Sequence, residues 1–138
     1  MRNLFVVVTL VLWSSFTHAD IVKSLAKDRM ADLDKLVAAD SKVLMEMRNP
    51  SANTTLLTRD QNIRYLKLIE KSKSTFGDDP LSPQGSCVKA LLVGHEVWQS
   101  KVAYQKSKSN FDKDSVSMWQ KKYASERKEC EVYIRKLH

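Results

Sequence analysis

The sequence predicts an all-α fold: a four-helix up-down bundle in which helices 3 and 4 form a disulfide-linked antiparallel hairpin. Apolar residues recur at three- and four-residue steps in four separate segments, which is the spacing of amphipathic helices. The chain has only three glycines and three prolines, and most of them lie between those segments or near their ends. It also has two cysteines, one in each of the last two segments.

The first helix is predicted over residues 22–47. Its apolar positions follow helical spacing: Val22, Leu25, Leu33, Leu36, Val37, Leu44 and Met47. The helix is expected to stop at Asn49-Pro50, because a proline disfavours helical geometry at the residue before it.

The second helix is predicted to begin at Thr58. Thr58 and Gln61 have the spacing of a capping box, in which each side chain bonds the other residue's backbone N–H. Ile63, Leu66 and Ile69 continue at helical spacing. Gly77 is expected to end the helix, since glycine is the residue most often found just beyond a helix C-terminus.

The last two helices are predicted to surround a polar turn at residues 106–112. Helix 3 is expected to open at Ser82-Pro83, with serine as the cap and proline in the first turn. Its apolar stripe is Cys87, Leu91, Gly94, Trp98 and Val102. The stripe of helix 4 is Val116, Trp119, Tyr123, Cys130, Ile134 and Leu137. Both Trp98 and Trp119 are therefore expected in the core.

The two cysteines agree with a single register for this hairpin. In an antiparallel pair, residues at one level are equidistant from the turn. Cys87 and Cys130 share a midpoint between positions 108 and 109, inside the predicted turn. Gly94 and Tyr123 share it too, as do Trp98 and Trp119. The register therefore predicts a Cys87–Cys130 bridge, which the chain-entropy model values at about 4 kcal/mol.

The N-terminus has the three-part order of a secretory signal peptide. Residues 1–3 carry one positive charge, residues 4–13 are largely apolar, and a segment ending in the small residue Ala19 follows. We expect cleavage after Ala19, with residues 1–19 as the leader and residues 20–138 as a single helical domain. The apolar run of about 10 residues is shorter than the ~20 of a membrane span. The alternative is an uncleaved N-terminal anchor.

An exported chain with an even number of cysteines is expected to form disulfides, so a periplasmic or secreted location and the Cys87–Cys130 bridge support each other. No Cys-x-x-Cys is present, and both cysteines lie on apolar stripes. We therefore interpret the bridge as a structural fastener rather than a redox centre, because reactive thiols occur in exposed electropositive surroundings.

The positive charge of the chain is concentrated in its second half. The whole chain has a net charge of +7. Residues 20–85 account for +1 and residues 86–138 for +5. Six lysines are expected near the turn between helices 3 and 4: Lys101, Lys106, Lys108, Lys113, Lys121 and Lys122. A basic surface favours a negatively charged partner, although it can equally serve solubility alone.

Within that region we predict a partner-binding surface formed by Tyr104, Lys106, Lys108 and Lys113, and we call it the basic tip. The lysines would attract the partner, and Tyr104 would supply an apolar anchor. The expected partner is another exported or envelope protein that is acidic at the contact, not nucleic acid. Peripheral contact with an anionic membrane surface and an interface on helices 1 and 2 are the alternatives.

The sequence contains no recognisable catalytic or metal-binding motif. His95-Glu96 begins like a zinc-protease helix, but Gln99 stands where the second histidine is needed. Gly77, Gly85 and Gly94 are isolated, so no phosphate-binding loop is present. We therefore predict no catalytic residues, no metal and no cofactor.

The function predicted from these observations is that of an exported, non-enzymatic protein-binding protein, similar in build to inhibitors and immunity proteins. A shared build does not by itself determine a function. The alternatives are an envelope accessory or structural component of a secretion or conjugation apparatus, and a binder of anionic lipid or polymer.

Overall fold

Four α-helices form the whole regular structure of the part of the chain that the computed structural model describes, residues 18–79 and 81–137. They are α1 (His18–Glu46), α2 (Thr54–Phe76), α3 (Gly85–Ser107) and α4 (Asn110–Lys136). The predicted all-α up-down bundle is thereby confirmed. The predicted leader, residues 1–19, lies outside the described residues except for the backbone of its last two, which belongs to α1.

The start of α2 differs from the prediction, because another residue caps it. Asn53 is the N-cap, and its side-chain oxygen accepts the Leu56 N–H at 3.0 Å. Thr58 lies inside the helix, where its hydroxyl donates to the Thr54 carbonyl at 2.8 Å. The predicted capping box is therefore wrong. The predicted end is confirmed, since Gly77 has a φ of 78° and its N–H bonds the Lys73 carbonyl.

The predicted cap of α3, Ser82, lies two residues before the observed N-cap, Gln84. The Ser82 hydroxyl accepts the Gly85 N–H at 3.1 Å, so this serine caps the turn that leads into the helix. The predicted polar turn at residues 106–112 is too long, because only Lys108 and Ser109 lie between α3 and α4. Ser109 caps α4 by accepting the Asp112 N–H at 3.1 Å.

The hydrophobic core lies mainly among α1, α2 and α3. Its largest fully buried apolar side chains are Trp98, Tyr65, Phe76, Met30, Leu33 and Leu91. From α4, only Cys130 and Ile134 are buried. This helix packs chiefly against α3, touches α1 over a short stretch, and makes no close backbone approach to α2 within the described residues.

The predicted register of the α3–α4 hairpin is confirmed at two levels. Cys87 and Cys130 form a disulfide with their Cα atoms 4.6 Å apart, and both residues are fully buried. Gly94 lies against Tyr123, because a Cβ atom added there would lie 3.5 Å from the tyrosine ring and 3.1 Å from Leu33 Cδ1. The bridge is consistent with an oxidising, exported compartment.

The expectation that both tryptophans are core residues is correct for one of them. Trp98 is fully buried. Trp119 is half-buried and lies outside the core cluster, with the Lys122 ammonium 5.1 Å from its ring centroid. Because α4 packs mainly on α3, a large ring on its flank is covered from one side only.

A polar contact joins α4 to α1. Arg127 binds Asp34 through two nitrogens, at 2.9 and 3.3 Å, and pairs with Glu131 at 3.0 Å. The Asp34 hydrogen bond is the main reason that the Arg127 pKa is raised. Tyr123 donates its hydroxyl to Asp34 at 3.4 Å, and burial raises the tyrosine pKa to about 12.

Candidate functional site

The basic tip lies at the end of the α3–α4 hairpin opposite the disulfide. Lys106 and Lys108 end or follow α3, and Lys113 lies in the first turns of α4. All three lysines are exposed, and Tyr104 is half-buried. The short connection therefore brings the four predicted residues to one end of the bundle. Lys106 and Lys113 form no ion pair within the described residues.

Lys108 differs from the other two lysines because it is part of the turn itself. It adopts a left-handed backbone conformation with a φ of 55°, and its N–H bonds the Tyr104 carbonyl at 2.9 Å. Its ammonium donates to Gln105 at 2.6 Å and lies 5.4 Å from the centroid of the Tyr104 ring. Lys108 therefore covers part of the tyrosine, a contact of the cation–π type.

A set of hydroxyl groups holds the turn in place. Ser107 and Ser109 both donate to Asp112, the latter at 2.7 Å. The Ser107 bond, followed by the Ser109 bond, lowers the pKa of Asp112. An ionised carboxylate in the first turn of α4 also interacts favourably with the positive end of that helix. These hydrogen bonds therefore restrict the conformation of the connection that carries the lysines of the tip.

The sequence analysis missed an aromatic residue at the tip. Phe111, in the first turn of α4, has 81% of its surface exposed. The sequence pattern does not predict it, because residues 106–112 have the composition of a polar turn and Phe111 falls off the apolar stripe of α4. An aromatic residue two positions after a cap residue and off the apolar stripe is the pattern that would have revealed it.

The wider set of lysines expected near the turn is only partly found there. Lys101 points inward, with 17% of its side chain exposed, and pairs with Asp40 at 3.4 Å. Lys122 covers Trp119, while Lys121 is exposed further along α4. Lys101 is therefore not part of the tip, because a buried acidic residue on α1 engages it.

Asp40 is the centre of a buried polar cluster that also contains Gln61, Tyr65 and Lys101. The carboxylate is fully buried and accepts hydrogen bonds from the Gln61 amide at 2.9 Å and the Tyr65 hydroxyl at 3.1 Å. Burial raises the pKa of Asp40, although the Gln61 bond and the Lys101 charge oppose this. Burial also raises the pKa of Tyr65.

His95 of α3 lies next to this cluster and packs against residues of α2. Its ring stacks on Tyr65 with centroids 5.4 Å apart, and its Nε2 is 3.1 Å from the Asn62 side-chain oxygen. Trp98 donates its indole N–H to the same oxygen at 2.9 Å. Burial lowers the pKa of His95. These contacts join α2 to α3 and place no serine or cysteine nucleophile beside the imidazole.

Two kinds of feature are absent from the described residues. In residues 18–79 and 81–137, no three His, Cys, Asp or Glu side chains are grouped so that they could hold a metal ion. Over the same residues, none of the helices combines the length and apolar character that crossing a bilayer requires.

Comparison with protein-family models, with curated proteins and with solved structures gives no match for this chain.

Proposed function

We propose that this protein is an exported, non-enzymatic protein-binding protein of the periplasm or the secreted fraction. It engages an acidic partner through the basic tip, as an inhibitor or immunity factor does. In this proposal residues 1–19 are removed on export and the disulfide forms afterwards. The single helical domain then serves as a rigid support for the tip.

The observation that carries the proposal is the combination of charge and exposed aromatic surface on a constrained turn. Phe111 is 81% exposed in the first turn of α4, and Lys113 is exposed two residues later. Lys106 lies across the connection on α3. Aromatic anchors surrounded by positive charge are typical of binding hot spots, and the preorganised turn reduces the entropy lost on binding.

The two kinds of residue have different expected roles. Exposed lysines accelerate encounter with an acidic surface more than they determine the final affinity. An aromatic ring buried on binding mainly slows dissociation. Phe111 replaces Tyr104 as the main anchor in this scheme, because Lys108 already covers part of the tyrosine ring.

The experiment begins with capture of the partner by a photo-crosslinking residue at position 113 of the mature protein in its native envelope. Binding kinetics are then measured with the identified partner. The Lys106→Glu/Lys113→Glu variant should associate about tenfold more slowly at low salt, with a weaker dependence on salt. Phe111→Ala should dissociate about tenfold faster, and Tyr104→Ala less than that.

The matched control is Lys128→Glu/Lys136→Glu, which makes the same change in net charge at exposed positions in the C-terminal half of α4, outside the tip. This control should associate at close to the original rate. Equal slowing in both charge-reversed variants would show a general charge effect and contradict a site at the tip. Unchanged kinetics in all tip variants would place the interface elsewhere on the molecule.

A further inference from the structure

A basic groove runs between α1 and α2, on a different face from the tip. Its cleft of about 420 Å³ is lined by two helices: Asp32, Lys35, Leu36 and Ala39 from α1, and Arg64, Lys67, Leu68 and Lys71 from α2. Four of these eight side chains are cationic and one is acidic. We call this surface the α1–α2 groove.

The cations of the groove are largely free of acidic neighbours. Arg64, Lys67 and Lys71 are exposed and form no ion pair within the described residues. Lys35 pairs with Asp32 at 3.7 Å, but 80% of its side chain remains exposed. The three cations of α2 lie along one side of that helix over about 10 Å, given the rise of ~1.5 Å per residue.

A buried arginine lies on the same stripe of α1, beyond the residues that line the groove. Arg29 is only 8% exposed, and its Nε has no hydrogen-bond partner within the described residues. It lies seven residues before Leu36, which is two helical turns, and therefore on the same stripe. A guanidinium held in a region of low dielectric adds positive potential that solvent screens poorly.

The groove has an apolar floor and a polar end. Leu68 is buried, while Leu36 and Ala39 are half-buried between the cations. A second cleft of about 190 Å³ continues past Ala39 and Arg64 towards the α1–α2 connection. There Lys42 faces a mixed set of charges that includes Glu46 and Asp60. The cationic excess is therefore greatest at the end near Lys71.

We propose that the α1–α2 groove is a second binding site, and that its occupant is an acidic amphipathic helix of a partner protein. The apolar stripe of that helix would lie on Leu36, Ala39 and Leu68. Its carboxylates at positions i, i+4 and i+7 have the spacing needed to face Arg64, Lys67 and Lys71. Lys35 would contact the opposite flank, where it pairs with Asp32, so the charge of the ligand complements mainly the α2 rim.

The shape of the surface favours a helix over a membrane. Membrane-surface helices present a projecting apolar face that enters the headgroup region, with lysines beside it. In the α1–α2 groove the arrangement is reversed, because the cations project and the apolar side chains are recessed between them. A concave floor of this kind suits a cylindrical ligand.

The test uses a helix-constrained peptide of about 15 residues, which spans ~22 Å as a helix. It carries a Leu/Ala stripe flanked by glutamates, and its affinity for the mature protein is measured by fluorescence anisotropy. Arg64→Glu/Lys67→Glu should weaken binding about tenfold or more. A peptide with glutamine for every glutamate should lose a similar factor. The Lys128→Glu/Lys136→Glu variant makes the same change in net charge outside both proposed sites, and it should bind within about twofold of the original protein.

Three outcomes would overturn this proposal. One is failure of the original protein to bind the acidic peptide more tightly than the glutamine peptide. Another is equal weakening in the groove variant and in the Lys128→Glu/Lys136→Glu control. The third is binding to phosphatidylglycerol vesicles that is lost in the groove variant while the peptide does not bind, which would assign the groove to a lipid surface. Because this test changes no residue of the tip, failure of the groove leaves the proposed function of the tip intact.

Discussion

The two halves of this bundle are held together by different chemistry. In the α3–α4 hairpin, a buried disulfide joins the helices, and Gly94 of α3 lies against the Tyr123 ring of α4. The α1–α2 pair has no covalent link within the described residues, and instead meets around a buried carboxylate, Asp40, bonded to Gln61 and Tyr65. Lys101 of α3 supplies the opposite charge, with its ammonium 3.4 Å from the Asp40 carboxylate.

The kind of link in each half follows from how much of that half is buried against other helices. The hairpin carries α4, which buries only Cys130 and Ile134 and, apart from its packing on α3, touches the rest of the bundle over a short stretch. A covalent link can hold such a helix where apolar burial alone is limited. The α1–α2 pair is packed against α3 as well, so a polar cluster enclosed by three helices can specify which faces meet. The basic tip is therefore carried by helices joined through a disulfide, whereas the α1–α2 groove is carried by helices joined through the Asp40 cluster.

The largest effect is expected from removing the disulfide. Cys87→Ala/Cys130→Ala should lower the free energy of unfolding by about 4 kcal/mol. Without the bridge, the unfolded chain gains the conformational entropy that the closed loop had removed. Urea denaturation followed by circular dichroism measures the loss. Hydrogen exchange should show that amides of α4 lose more protection than those of α1 and α2. Uniform loss of protection over all four helices would contradict the contrast between the halves.

A smaller loss is expected from the polar cluster. Asp40→Ala should cost about 3 kcal/mol, because it leaves the Tyr65 hydroxyl, the Gln61 amide and the Lys101 ammonium without their shared acceptor. Asp40→Asn is the matched control: it keeps the size and one acceptor oxygen, and should cost less than half as much. The same urea titration applies. Equal costs for the two variants would mean that the charge, not the acceptor, stabilises this half.

The smallest effect is expected in the pH dependence of stability, through His95 of α3 and Asp40 of α1. Burial lowers the pKa of His95 below its ordinary value of 6.5. The unfolded chain therefore binds this proton more readily, and the stability present above pH 6.5 decreases as the pH falls through the lowered pKa. Asp40 acts in the opposite direction. Its pKa is raised above 3.8, so its contribution decreases as the pH rises from 3.8 to the raised value.

Melting temperatures measured from about pH 4 to 8 separate these contributions. His95→Gln should reduce the loss of stability on acidification below pH 6.5. Asp40→Asn should reduce the loss on raising the pH above 3.8. The charges near His95 are those of Glu96 and Asp40, and both oppose the lowering of its pKa. A His95→Gln profile parallel to that of the original protein would show that this histidine titrates normally.

Much of the hairpin could be predicted from the sequence, because its contacts repeat along two helices that follow each other. The spacing of Cys87, Gly94, Tyr123 and Cys130 was sufficient to define the register. Capping was predicted less well. Asn53 and Thr58 are both good cap residues, and nothing local shows which of them starts α2. Trp119 was misplaced because periodicity marks an apolar face without showing how much of that face a neighbour covers.

The sequence by itself determined the four helices, the pairing of the two cysteines and the presence of lysines at one turn. Those features depend on residues close in the chain or symmetric about a turn. Only the tertiary structure decided that Lys101 turns inward to Asp40, that Phe111 is left exposed, and that Lys35 shares a groove with Arg64, Lys67 and Lys71. Each of these depends on which helix faces meet, and a polar side chain has the same local pattern whether it faces water or a distant partner.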